Sequence, residues 1–176
     1  MKTRIVIISI VAMLLLVLIV AYFLVPRKYE QNYMGVLGIP NDSSYRYNDM
    51  VDNFGEPISI EWDDKTPSSA VVKYDRLYFL CYTINGEPYD KESLNASEVF
   101  VTSSDFEFGK DKLKVGSTKR DVLWAYMKTF ARIDADAPKD TISLVDGRTN
   151  APFNRHVIFY FDANDLVYQI GIWFFP

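Results

Sequence analysis

The chain has one cysteine and one histidine in 176 residues, and this scarcity excludes several kinds of site. A single cysteine cannot form an intramolecular disulfide or a cysteine-rich metal cluster. Cys81 lies inside a strand-like aromatic run, which predicts a buried, unreactive thiol. His156 begins another aromatic run, which favours a histidine at a strand edge over a catalytic base or a metal ligand.

The sequence also lacks the motifs that mark common catalytic and metal sites. It has no Gly-x-Ser-x-Gly nucleophile turn and no glycine-rich phosphate loop followed by Lys-Ser or Lys-Thr. Asp134 with Asp136, and the segment from Asp162 to Asp165, lack the spacing of an EF-hand loop. The second segment is more typical of a hairpin turn. We therefore expect no enzyme activity, no metal site and no cofactor.

Positive charge is scarce over most of the chain. Four of the 19 basic residues (Lys2, Arg4, Arg27 and Lys28) flank an apolar run near the N-terminus, which leaves 15 against 23 acidic residues, a net charge of −8. Nucleic acid is a polyanion and would be repelled by this charge, so the sequence argues against nucleic-acid binding.

The apolar run extends from Ile5 to Val25 without a charged residue. A helix of this length matches the roughly 30 Å core of a bilayer. No small-x-small cleavage site or cysteine follows the run, which favours an uncleaved signal anchor. We expect residues 1–28 to form a single-pass anchor in the cytoplasmic membrane, with the N-terminus inside and the rest of the chain outside.

Two similar patterns follow the run. A helix is predicted from Tyr47, Met50, Val51 and Phe54, which lie at helical spacing before Gly55, and strand-like segments come after it. A second helix begins at the capping box of Thr118 and Asp121 and is again followed by strands. Its predicted apolar stripe consists of Val122, Leu123, Tyr126, Met127 and Phe130. We therefore predict an α+β fold: an N-terminal transmembrane helix and two tandem units, residues 29–104 and 105–176. Each unit would pack one helix on its own antiparallel sheet of three or four strands.

Several segments resemble one known superfamily. Residues 102–108 and 113–122 resemble its repeat signature, residues 49–57 its helix end, residues 72–79 the start of one strand and residues 157–172 its closing hairpin. The superfamily includes beta-lactamase-inhibitory protein and the small lipoprotein subunit of the outer-membrane assembly machine, and similar tandem proteins are anchored or secreted by Gram-positive bacteria. The resemblance implies two sheets joined side by side, with the helices behind them and an open face for a protein partner.

The candidate binding residues come from the alternation along the strands. In the third strand-like segment Leu77, Phe79 and Cys81 share one side, which we assign to the core, and Tyr78, Leu80 and Tyr82 share the other. Tyrosine and tryptophan provide a large contact area with a polar group, as interface residues often do. The predicted partner-binding residues on the open face are Tyr78, Tyr82, Tyr160 and Trp173.

The leading hypothesis is a non-enzymatic, extracytoplasmic binding or scaffold module that engages a protein through this face. The alternative is a protein that binds or cleaves cell-envelope glycan with Glu61, Asp63 and Asp64, next to Trp62. A third possibility is a structural subunit whose contacts lie in the segment from Ile5 to Val25.

Overall fold

The computed structural model describes residues 2–24, 33–40, 44–127, 131–133, 138–146 and 157–173. The helices are α1 (Lys2–Leu24), α2 (Tyr33–Val36), α3 (Tyr47–Phe54) and α4 (Lys119–Tyr126), and a 3₁₀ turn covers Lys91–Ser93. The strands are β1 (Ser59–Trp62), β2 (Ser69–Lys73), β3 (Leu77–Thr83), β4 (Leu94–Val101), β5 (Ala131–Ile133), β6 (Thr141–Asp146), β7 (Val157–Phe161) and β8 (Val167–Trp173).

The described strands form one antiparallel sheet of eight, in the order β1-β2-β3-β4-β8-β7-β6-β5. Each half of the chain supplies a meander of four strands. The last strand of each meander lies at the centre, where β4 pairs with β8 from Glu98 opposite Trp173 to Val101 opposite Ile170. This central pair joins the two halves through backbone hydrogen bonds.

The predicted fold class is therefore wrong in its arrangement. We expected a separate sheet in each of two tandem units, whereas the structure has one continuous sheet. The physical reason is that β4 and β8 would each present an unpaired edge if the sheets were separate, and pairing the two edges satisfies their backbone groups. The boundary at residues 104 and 105 stays a prediction.

The predicted transmembrane helix is also corrected. Helix α1 covers most of the apolar run. Within the parts of the chain that the structure describes, no helix is both long enough and apolar enough to cross a membrane.

Helix α3 packs on the sheet through the apolar stripe that the sequence predicted. Met50 is fully buried, and the Phe54 ring lies 5.7 Å from the Phe79 ring and 5.5 Å from the Tyr74 ring. Gly55 ends the helix with a φ of 80°, a conformation that glycine adopts without steric cost. The helix prediction and its stop signal are confirmed.

Helix α4 begins at the predicted capping box. The Asp121 N–H donates to Thr118 Oγ1 at 3.1 Å, and the Thr118 N–H donates to Asp121 Oδ2 at 3.1 Å. Val122 is fully buried, whereas Leu123 and Met127, which we had placed on the same apolar stripe, are exposed. The predicted last residue of the stripe, Phe130, lies outside the described residues.

The strand alternation predicted for β3 is confirmed. Leu77, Phe79 and Cys81 are buried on the side that packs against the helices, while Tyr78 and Leu80 are half-buried and Tyr82 is exposed on the other side. We call this other side the open face, because helices α2, α3 and α4 contribute their buried side chains to the core on the opposite side. The open face therefore has a defined set of side chains.

Candidate functional site

A strip of aromatic rings occupies the centre of the open face. Tyr78 in β3 lies opposite Phe100 in β4, and Phe100 lies opposite Gly171 in β8. The Tyr78 and Phe100 rings stack with centroids 4.9 Å apart, and the Phe100 and Tyr160 rings are 6.1 Å apart. The Tyr160 and Tyr168 rings follow at 6.2 Å. We call Tyr78, Phe100, Tyr160 and Tyr168 the aromatic strip.

Gly171 makes the strip possible. A Cβ atom at this position would lie 3.1 Å from Phe100 Cε1 and 3.3 Å from Tyr160 Cε2. These distances are shorter than ordinary carbon–carbon contacts of about 3.5–4.0 Å. The missing side chain at Gly171 therefore leaves the space in which the Phe100 and Tyr160 rings meet.

A β-bulge in each central strand sets which side chains face outward. In β8, Val167 lies opposite Phe161 and Gln169 opposite Tyr160, so Tyr168 is the extra residue and its ring reaches Tyr160. In β4, Ser97 is the extra residue, and its hydroxyl donates to the Leu80 carbonyl at 3.1 Å. Glu98 thereby lies on the open face, opposite Leu80 and Trp173.

Glu98 is the charged residue at the centre of this face. Its side chain is half-buried, and burial raises the pKa of its carboxyl. Burial also raises the pKa of Tyr78 and of Tyr160, and the negative charge of Glu98 raises both further, while a hydrogen bond with Gln169 lowers that of Tyr78. Within the described residues the Glu98 carboxylate has no hydrogen bond and no salt bridge.

The raised pKa predicts that Glu98 lowers stability at neutral pH. In the folded protein Glu98 keeps its proton to a higher pH than an unfolded glutamate, whose pKa is about 4.3. The stability that Glu98 contributes below the unfolded pKa is therefore lost as the pH rises through the raised, folded pKa. We expect Glu98→Gln to raise the melting temperature at pH 7 by about 1–3 °C and to make little difference near pH 4.

The matched control is Glu92→Gln, which removes the same charge from the exposed 3₁₀ turn. It should change the free energy of unfolding by less than about 0.5 kcal/mol at either pH. Thermal unfolding at both pH values is the measurement. A Glu98→Gln protein that melts at or below the wild-type temperature at pH 7 would contradict the interpretation of Glu98 as a costly charge.

Three of the four predicted binding residues belong to this centre. Tyr78 and Tyr160 lie in the aromatic strip, and Trp173 lies opposite Glu98 on the same face. Tyr82 lies farther along β3, opposite Asn95 in β4, and its hydroxyl accepts a hydrogen bond from Asn95 Nδ2 at 3.0 Å. Sequence reasoning missed Glu98, Phe100, Tyr168 and Gly171. The alternation along β4 was the available signal for Glu98 and Phe100.

The residues of the glycan alternative lie at the β1 end of the sheet, where Glu61 is on the open face and Trp62 packs against the core on the other side. A cleft of about 560 Å³ between β1, β2 and β3 is lined by Glu61, Trp62, Asp63 and Tyr82, among others, but not by Asp64. Both carboxylate oxygens of Glu61 accept from Lys73 Nζ at 2.7 Å, and this hydrogen bond lowers the pKa of Glu61. Asp63 Oδ1 accepts from the Lys65 N–H at 2.9 Å.

A glycosidase pairs an ionised carboxylate with a protonated one about 5–9.5 Å away. Glu98 is the carboxyl on this face with a raised pKa. It lies in line with Glu61 across the sheet, because Glu61 pairs with Val71, Val71 with Leu80, and Leu80 with Glu98. Three strand spacings of about 4.8 Å separate the two backbones by about 14 Å. The Glu61 side chain is held by Lys73, so the two carboxyl groups do not form such a pair.

Other candidate positions behave as turns or core, or fall outside the described residues. Cys81 is buried and its pKa is raised by burial, in agreement with the predicted inert thiol. Asp162 Oδ1 accepts from the N–H groups of Asn164 and Leu166 at 2.9 Å, as predicted for a hairpin turn. No metal-binding group of three or more His, Cys, Asp or Glu occurs in the described part of the chain. His156, Asp134 and Asp136 lie outside it.

Comparisons with known proteins add little. No protein-family model matches the chain, and no curated protein matches it. One similar solved structure is an extracellular protein containing an SCP domain from Bacillus anthracis str. Ames, with 12% identity and a TM-score of 0.40. That match covers 84% of this chain and 49% of the other, so this chain spans about half its length.

A second similar structure is a DUF4309 family protein (YjgB) from Bacillus subtilis subsp. subtilis str. 168. It has 15% identity and a TM-score of 0.41, and the match covers 77% of this chain and 80% of the other. At these scores neither likeness carries an inference about function. The resemblance to the beta-lactamase-inhibitory-protein superfamily stays a prediction.

Proposed function

We propose that this chain is a non-enzymatic binding module that engages a protein through the open face of its sheet. The observation that carries the proposal is the aromatic strip, which is built over a glycine and lies on the face opposite the helices. Tyrosine and tryptophan side chains at the centre of a face are the residues that contribute most to protein interfaces.

The burial pattern of the face supports this function. Tyr78, Tyr160 and Trp173 are half-buried, and the exposed fraction of Tyr168 is 51%. Part of each ring is thus held in place by its neighbours while part stays accessible. Rigid, partly exposed rings lose little conformational entropy when a partner covers them.

The electrostatics of the face favour binding over acid–base catalysis. Lys73 keeps Glu61 ionised, and Asp63 accepts a hydrogen bond within the turn that leads to Lys65. Glu98 lies three strands away from β1, where Glu61 is located. A general acid needs a second group within hydrogen-bond reach of the same substrate. This arrangement separates the groups that such a reaction would need.

The extracytoplasmic location is part of the same proposal. Lys2 and Arg4 precede the uncharged run from Ile5 to Val25, and this order of positive charge and apolar residues is typical of an export signal. The acidic remainder of the chain would then meet its partner outside the cytoplasm.

Site-specific photo-crosslinking in intact cells tests the proposal. A photoreactive residue at Leu80, which lies on the open face next to Glu98, should capture a discrete exported protein. The control position is Trp124, whose side chain is 59% exposed on α4. It should not capture that protein. Equal capture from both positions, or capture of cytoplasmic proteins alone from Leu80, would contradict the proposal.

Glycan binding is a second candidate, favoured by the cleft that contains Trp62, Glu61 and Asp63. Carboxylate and aromatic side chains that line one cleft suit the hydroxyl and apolar surfaces of a sugar ring. Retention of the protein on purified cell wall, lost in a Glu61→Gln/Asp63→Asn variant, would favour this function. Retention unaffected by that variant would argue against it.

A further inference from the structure

The charge at the centre of the open face indicates the chemistry of the partner. Glu98 lies two residues before Phe100 in β4 and pairs directly with Leu80 in β3 and Trp173 in β8. Rings and an aliphatic chain therefore border its carboxylate. Its charge also acts on the hydroxyls of Tyr78 and Tyr160. A carboxylate in such surroundings is usually paired with a cation.

Three basic residues near the sheet, in the described part of the chain, are engaged elsewhere. Lys73 pairs with Tyr78 across the strands, and its Nζ forms a salt bridge with Glu61 Oε2 at 2.7 Å. Arg76 lies against Asp105 and the Phe106 ring, and Lys119 lies against Asp165 and the Phe161 ring. Among the described residues no basic side chain pairs with Glu98.

We propose that the centre of the open face receives an arginine or lysine side chain of the protein partner, held between the Glu98 carboxylate and the rings of the aromatic strip. This inference rests on the proposed function and adds the chemistry of the partner to it. Two further arguments support a basic group.

The first argument is complementarity. The faces of Tyr and Trp rings carry negative electrostatic potential and attract cations, and Glu98 adds a full charge beside them. An arginine can stack on a ring and donate two hydrogen bonds to one carboxylate at the same time. The net charge of −8 outside the N-terminal segment attracts a basic partner over a longer range.

The second argument concerns the other possible occupants. A purely apolar partner surface would bury the Glu98 charge without a counterion, which is strongly unfavourable. An acidic partner group would be repelled by Glu98 and by the charge of the domain. The half-buried carboxylate thus discriminates among partners as well as attracting one class of them.

The test uses two blocked tripeptides as probes, one with arginine between two leucines and one with the neutral isostere citrulline in its place. Binding to the full chain is followed by two-dimensional NMR at about 0.15 M salt, which screens long-range attraction. We expect the arginine peptide to bind roughly tenfold more tightly than the citrulline peptide, with shifts centred on Glu98, Trp173 and Tyr78.

Two variants complete the design. Glu98→Gln should abolish the preference for arginine, and Glu92→Gln, which removes an equal charge from the 3₁₀ turn, should retain it. Equal binding of both peptides at the open face would overturn this inference and leave the proposed function standing. Shifts scattered over the acidic surface, or a preference that survives in Glu98→Gln, would also overturn it. If neither peptide shifts the open face and Leu80 crosslinks no protein, both proposals fail.

Discussion

Gly171→Ala is expected to lower the free energy of unfolding by about 1–2 kcal/mol. The added methyl group would lie 3.1 Å from Phe100 Cε1 and 3.3 Å from Tyr160 Cε2, so both rings must shift. Phe100 is 7% exposed and has little room to move, since Tyr78 stacks on it from β3. This cost should exceed the gain that alanine normally brings over glycine by restricting the unfolded chain.

A double-mutant cycle with Phe100→Leu separates the crowding from other effects. The smaller side chain leaves room for the alanine methyl, so the cost of Gly171→Ala should fall to less than about 0.5 kcal/mol in the Phe100→Leu background. Urea unfolding of the four proteins gives the coupling energy. Additive costs for the two substitutions would contradict the role of Gly171 as the space beneath the rings.

Local features of the fold could be predicted from the sequence because they depend on neighbouring residues. The apolar stripe of α3, the stop at Gly55, the capping box of α4 and the alternation along β3 all express short-range periodicity or hydrogen bonding. The hairpin turn at Asp162 is of the same kind. Each of these was confirmed.

The sheet as a whole could not be predicted in this way. Strand β4 begins at Leu94, but the strand-like alternation of its sequence is clear only from Glu98 onward. The bulge at Ser97 interrupts the alternation, which hides the first half of the strand. The three residues of β5 are too few to show any period. The pairing of β4 with β8 joins residues about 70 positions apart, and no local pattern specifies it.

Only part of the candidate site could be predicted from the sequence, for the same reason. Tyr78, Tyr160 and Trp173 stand out as aromatic residues at outward positions of single strands. Glu98 and Gly171 matter because of what lies across the sheet from them, and that depends on the register between β3, β4 and β8. The sequence places a glutamate in a strand, but only the assembled sheet surrounds it with rings.

Combined replacement of Tyr78 and Tyr160 by alanine is expected to weaken partner binding by about a hundredfold, the loss typical of two central interface residues. The two rings flank Phe100 on either side, so their removal takes away the central contact surface while the helix-covered core stays intact. The variant will also lose some stability, because each ring is half-buried.

The control for that loss is Val72→Ala, which removes fully buried atoms from the helix side of β2 and leaves the open face unchanged. It should cost about 1–2 kcal/mol in stability without weakening binding.

The most direct test of an interface on the open face is therefore the dissociation constant of the protein captured at Leu80, measured by calorimetry at a temperature where all three proteins are folded. We predict wild-type affinity for Val72→Ala and about a hundredfold weaker binding for Tyr78→Ala/Tyr160→Ala. Wild-type affinity in the double variant would contradict the account.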